Sequence, residues 1–126
     1  MSTYLQENTK TEIDKEIEEL SFSILNNGTG DKEVSTGNNI TVHYRGWLAM
    51  DGEVFDQSFN HSAEGFTFKV GNGVIEGWSE GVIGMKIGET RRLKIPFDKG
   101  YGEYGAGLTI PPYADLIFDI ELISIN

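Results

Sequence analysis

The amino-acid sequence predicts an α+β fold in which a curled antiparallel β-sheet, a half-barrel, wraps around one short α-helix. Apolar and polar residues alternate in short stretches along most of the chain, as in strands with one buried face, and a single stretch near the middle has helical spacing instead. A sheet curled by its own twist can close around one helix and share a core with it. At 126 residues and 38% hydrophobic content, the chain suits one core and leaves no room for a second domain of ordinary size.

Residues 1–15 are polar, lack Gly and Pro, and run into the acids Glu16, Glu18 and Glu19. Composition marks them as an acidic N-terminal extension outside the core, with the folded domain at 16–126. Ile13, Ile17 and Leu20 have helical spacing, but Leu20, Phe22 and Ile24 alternate with Ser21 and Ser23, so a strand is expected from about Leu20. Loop-forming residues follow at Asn26–Asp31 and Thr36–Asn39. The clearest strand comes next, with Ile40, Val42, Tyr44, Gly46 and Leu48 on one face and Thr41, His43, Arg45 and Trp47 on the other. Asp51-Gly52 turns the chain into Val54-Phe55-Asp56. Phe66, Phe68 and Val70 form a further strand, Leu93, Ile95 and Phe97 another, and Leu116, Phe118, Ile120 and Leu122 the last. Between them, Ile75, Trp78 and Val82 predict a helix from Val74 to about Val82, with Gly81 and Gly84 near its end. The irregular stretch from Asp98 to Tyr113 is longer than a connection needs, which marks it as a functional loop.

With 20 acids against 10 bases the net charge is −10, so the summed field repels phosphate backbones and anionic lipid, and neither nucleic acid nor membrane is expected as a partner. Cys is absent, which excludes disulfides, thiolate metal sites and cysteine nucleophiles. The first residues carry no basic or apolar leader and no stretch is long enough to span a bilayer, so a soluble, cytoplasmic protein is expected. No long coiled-coil segment precedes the domain, and a monomer is expected.

Hydrolytic chemistry lacks its parts. His43 on the polar face of a strand and His61 in a loop have no Ser or carboxylate placed to complete a triad and no ligand spacing for zinc, so both read as surface histidines, with no metal and no cofactor. Gly71-Asn72-Gly73 precedes the helix, but without the spacing of a phosphate loop. Arg91, Arg92 and Lys94 read as a solvated sheet face. What stands out is a supply of aromatics near turns: Tyr44, Phe55, Phe66, Phe68, Trp78, Tyr101, Tyr104 and Phe118. Several must be core, yet Tyr101 and Tyr104 lie in the Gly-rich run Gly100–Gly107, where packing does not require them. An aromatic cup with a few polar groups at its rim suits a small hydrophobic ligand or a proline ring.

These residues fall in recognisable strings: Val42-His43-Tyr44-Arg45-Gly46-Trp47-Leu48, Val54-Phe55-Asp56-Gln57-Ser58, Val74-Ile75-Glu76-Gly77-Trp78, Gly84-Met85-Lys86-Ile87-Gly88-Glu89, Gly100-Tyr101-Gly102, Ile110-Pro111-Pro112 and Leu116-Ile117-Phe118-Asp119. In order and spacing, from about Leu20 to Ile125, the chain resembles the FKBP-type peptidyl-prolyl cis-trans isomerases, the receptors for rapamycin and tacrolimus. The resemblance implies that Tyr44, Phe55, Phe66, Trp78 and Phe118 wall a pocket floored by the Trp78 indole, with Val74 and Ile75 at its edge and Ile110 on the loop side. It further implies that the Ile75 N–H donates to a ligand carbonyl, that Tyr101 donates its hydroxyl to the carbonyl next to the rotating bond, and that Asp56 is the carboxylate in the cup. Tyr44, Asp56, Tyr101 and Phe118 would then be catalytic and the others substrate-binding. The partners implied are proline-containing peptides, unfolded proteins and the macrolides.

The reaction fits a chain without a triad, because rotation about X–Pro needs neither proton transfer nor a nucleophile, only help across a barrier of about 18–20 kcal/mol. The chain departs from the common pattern in the turn before the helix, one residue short at Gly71–Val74, in a hairpin one residue longer at Ala49-Met50, and at Ala106-Gly107. Asp98–Pro111 is also too short for an inserted chaperone flap, so holdase activity is not expected. A binding module that holds a partner with incidental isomerisation is the alternative; the presence of Tyr44, Asp56, Trp78, Tyr101 and Phe118 together favours the enzyme. Glu76, Glu103 and Asp56 would put negative charge around the cup, so poorer turnover is expected where an acidic residue precedes proline.

Overall fold

The computed structural model describes Leu5 and residues 11–126. The elements are β1 (Ser21–Asn26), β2 (Asn39–Leu48), β3 (Val54–Gln57), β4 (Phe66–Lys69), α1 (Glu76–Gly81), β5 (Thr90–Ile95) and β6 (Leu116–Ile125), with short 3-10 turns at Ser58–Asn60 and Phe97–Lys99. Strand order is β1-β5-β6-β2-β3, with β4 also paired to β2, and every pairing is antiparallel. This is the expected α+β architecture: an open antiparallel sheet with one short helix packed on it.

Strand β2 organises the sheet. One edge pairs with β6 along its length, while the other is shared, Asn39–Val42 with β4 and Arg45–Trp47 with β3. Where β2 changes partners, the Tyr44 N–H lacks a strand to donate to, and the Ser58 hydroxyl accepts it at 2.9 Å. A buried N–H must find a partner, and Ser58, itself buried, supplies one from the 3-10 turn.

The inner face carries the main core, including Ile40, Val42, Leu93, Ile95, Leu116 and Ile120, all fully buried, with Trp78 and Val82 from the helical segment. The helix is shorter than its periodicity suggests. Val74 precedes it and Ile75 is its N-cap, with extended backbone (φ −60°, ψ 149°) whose carbonyl accepts from the Trp78 and Ser79 amides. Glycine sets its distance from the sheet: a Cβ on Gly77 would fall 2.6 Å from Ile95 Cγ2, and one on Gly81 2.7 Å from Leu93 Cδ1. Strand β5 likewise stops at Ile95, short of Phe97, because Pro96 has no N–H to continue the ladder and starts a 3-10 turn instead.

The outer face is not a solvated surface either. Trp47 and Ile117 are fully buried there, packed with Ala49 and Ile17 in a second small core. The chain over them is the stretch that composition sets outside the core. The Trp47 indole donates to the Glu12 carbonyl at 2.8 Å, and the Asp14 N–H donates to the Ala49 carbonyl at 2.9 Å. Lys94 reaches the Glu12 carboxylate at 2.6 Å and Asp14 at 3.1 Å. Residues 11–20 are not helical, so the spacing of Ile13, Ile17 and Leu20 is not that of a helix face. The basic cluster is corrected too. Arg91 is buried against Glu89 at 2.6 Å and donates to the Gly81 and Ile83 carbonyls at the end of α1, and Arg92 makes a two-pronged pair with Asp119. His43, expected at the surface, is 5% exposed, hydrogen-bonded to Ser58 at 2.8 Å and stacked on Phe59.

Candidate functional site

On the inner face, where β2, β3, β4 and β6 meet the helix, a cavity of about 440 Å³ is lined by Tyr44, Phe55, Asp56, Phe66, Gly73, Val74, Ile75, Trp78, Tyr101 and Phe118. The fold therefore brings together every residue singled out for a site except Ile110. That side chain is 4% exposed, belongs to the core, and ties the late loop through a backbone pairing with Ala106.

Trp78 lies at the centre of the aromatic set. Its ring centroid is 5.1 Å from Tyr44, 5.3 Å from Phe118 and 6.1 Å from Phe66, each with the rings edge-on. Phe55 meets Phe118 the same way at 5.5 Å. Edge-to-face packing sets the electropositive edge of one ring on the electronegative face of the next, so the walls hold each other without filling the cup. Phe68 stacks behind Phe66 and stays in the core, whereas Tyr104 is exposed and away from the lining. Gly46 makes the closeness of two walls possible: a Cβ there would be 2.5 Å from Phe118 Cε1 and 2.8 Å from Phe55 Cζ.

Asp56 is the carboxylate of the lining, and its oxygens already have partners. Oδ2 accepts from the Tyr44 hydroxyl at 2.7 Å, and Oδ1 accepts from the Gln57 N–H at 2.9 Å and from His61 Nε2 at 2.7 Å. Burial, with the adjacent carboxylate, pushes the Tyr44 phenol far above its ordinary range, so it remains a donor to Asp56. Burial and Asp56 raise Tyr101 as well. Glu76 and Glu103 are outside the lining, and Glu76 faces Lys99 at 3.8 Å.

The donors are unevenly used. Among the described residues, the Tyr101 hydroxyl and the Ile75 N–H have no hydrogen-bond partner, and the buried Trp78 Nε1 has none either. Sequence reasoning missed Gly46, Ser58, Gly73 and His61. Ser58 and His61 follow Asp56 by two and five residues, and their contacts with Tyr44 and Asp56 depend on the 3-10 turn Ser58–Asn60, which has no periodic signature.

Such a cup defines a class: a pocket whose shape and chemistry suit an apolar group carrying carbonyls, with donors at its edge and, among the described lining residues, one carboxylate bonded into the wall. The comparisons with known proteins say which family builds it here. The family model for FKBP-type peptidyl-prolyl cis-trans isomerase matches residues 30–123. Peptidyl-prolyl cis-trans isomerase FKBP15-2 of Arabidopsis thaliana is 52% identical over 99 residues, 78% of this chain and 60% of the relative. FK506-binding protein 2 of Kluyveromyces lactis is 50% identical over 95 residues, 75% of this chain and 67% of the relative. FK506-binding protein 1 of Dictyostelium discoideum is 47% identical over 106 residues, 83% of this chain and 96% of the relative. The chain belongs to the FKBP-type peptidyl-prolyl cis-trans isomerase family. It spans about three fifths of the plant relative and nearly all of the Dictyostelium one.

Proposed function

We propose that this chain accelerates rotation about X–Pro bonds in exposed or unfolded protein chains, and that macrolides of the rapamycin and tacrolimus type fill the same cup and block it. The observation that carries this reading is a pair of donors without partners among the described residues, Tyr101 Oη and Ile75 N–H, at an aromatic cavity.

In a planar amide, resonance puts negative charge on oxygen and positive charge on nitrogen; the twisted amide loses that separation. A dry aromatic cup solvates the planar form poorly and so favours the twist relative to water. The proline ring packs on Trp78 between Tyr44, Phe55, Phe66 and Phe118. Ile75 N–H and Tyr101 Oη hold flanking carbonyls, so that one side of the bond stays fixed while the other turns. Asp56 and Tyr44 keep the wall rigid. Each tenfold in rate needs about 1.4 kcal/mol of preference for the twisted form.

In this reading the protein works as a cytoplasmic monomer on proline-containing segments, disfavouring an acidic residue before proline because Asp56 brings its charge to the lining. The test is refolding of a protein whose slow phase is set by prolyl isomerisation. That phase is expected to quicken in proportion to the amount of this chain added. A slow phase unchanged at every concentration overturns a role in folding.

A further inference from the structure

We propose that His61 is a positioning residue that sets the charge at the rim of the cavity, so that selection against an acidic residue before proline weakens as pH falls. This rests on the isomerase reading above. The geometry is a relay of two hydrogen bonds: His61 Nε2 lies 2.7 Å from Asp56 Oδ1, and Asp56 Oδ2 lies 2.7 Å from the Tyr44 hydroxyl. The backbone that carries the imidazole is held in place. The His61 main-chain N–H donates to the Ser58 carbonyl at 2.9 Å, and the Ser58 hydroxyl in turn accepts from the Tyr44 main-chain N–H. The backbone beneath the imidazole is thus pinned to the strand that carries the pocket wall.

The other acids near the cup do not share the role. Glu76 faces Lys99, and Glu103 is outside the lining, which leaves Asp56 as the carboxylate of the cavity. Among the described residues, the titratable and charged groups around His61 are Asp56, in contact; Tyr44, bonded to Asp56, and Tyr101, raised by it; His43, held by Ser58 and the Ala63 carbonyl; and Glu64, three residues on in the same loop.

Imidazole is the side chain whose charge changes between about pH 5 and 8, a range in which carboxylates stay ionised and phenols stay protonated. With imidazolium the rim pair is neutral; with imidazole, still donating from Nε2, it is singly negative. The His61 side chain is 65% exposed and that of Asp56 36%, so the proton exchanges directly with water.

The experiment compares kcat/KM for matched Leu-Pro, Gln-Pro and Glu-Pro peptides from about pH 6 to about pH 8, at low salt and at about 1 M salt. The enzymes are the full chain, His61→Gln and His61→Arg. For the unaltered chain the Gln-Pro to Glu-Pro ratio is expected to rise about threefold with pH at low salt and to flatten at high salt. His61→Gln holds the higher ratio at every pH, and His61→Arg holds the lower one. A ratio that ignores pH in the unaltered chain, or that keeps its pH dependence in His61→Gln, overturns the proposal while leaving the isomerase reading intact. No turnover of Leu-Pro overturns both.

Discussion

Asp56 illustrates how a single side chain serves the site by being occupied. Its oxygens accept from Tyr44, His61 and the Gln57 amide, so it shapes the wall rather than waiting for a proton. Tyr101 is the opposite case, a hydroxyl of the lining without a partner among the described residues. Tyr101→Phe is expected to lower kcat/KM by about three- to tenfold, the worth of one hydrogen bond, with the urea midpoint unmoved. An equal fall in stability would assign Tyr101 to packing. Away from the cavity, Arg91 is buried on Glu89 and on the last carbonyls of the helix. Arg91→Met strands the Glu89 charge and is expected to cost about 3–5 kcal/mol by urea titration. None of this was legible from the string Arg91-Arg92, which reads as surface because composition carries no information about which charges face each other.

Strand β2 shows what an element contributes beyond its residues. Its alternation was plain in the sequence, and so was its inner face, because burial on one side leaves a period of two. The change of partner at Tyr44 was not, since β3 and β4 are each only four residues long and their register follows from a turn. Gly46, opposite Phe118 and Asp56 in the two ladders, lets the pocket walls close in over the strand. Gly46→Ala must push the Phe118 or Phe55 ring into the cup. Turnover is expected to fall by roughly ten- to a hundredfold, beyond a stability loss of about 1–3 kcal/mol read by denaturation. Turnover falling no more than the folded fraction would show that ring position is unimportant. The helix was legible as an element but not at its start, because Val74 and Ile75 keep the apolar spacing of a helix while lying before it at the cavity edge, Val74 in a bend and Ile75 in extended backbone.

For the whole molecule, the sheet has two covered faces, and only the inner one was written in the periodicity. Trp47 falls on the face that alternation assigns to solvent, and its cover comes from a mostly polar stretch that holds on through a backbone carbonyl and carboxylates as well as through buried Ile17. Removing residues 1–15 is expected to lower stability by roughly 1–3 kcal/mol, with a change in Trp47 fluorescence, and to leave turnover unaltered because the cup opens on the other face. The same contacts set a pH dependence. Hydrogen bonds from Lys94 hold Glu12 below its ordinary 4.5 and Asp14 below its ordinary 3.8. Groups depressed in the folded state contribute stability above their unfolded values, and that contribution disappears as pH falls through the folded ones. Acid titration of the full chain should therefore show a loss in this range that the truncated chain lacks, modest because both carboxylates are partly exposed. The cup itself was legible almost entirely, because the strings that build it are local; what joins them to Ser58 and His61 is tertiary.

The central claim is that one aromatic cup both binds and catalyses. The most direct measurement is a protease-free, fluorescence-detected isomerisation assay on a Leu-Pro-Phe peptide, with rapamycin added stepwise. The account expects catalysis that falls to the uncatalysed rate at stoichiometric rapamycin. Catalysis untouched by saturating rapamycin, or rapamycin bound by a chain that does not catalyse, would contradict it.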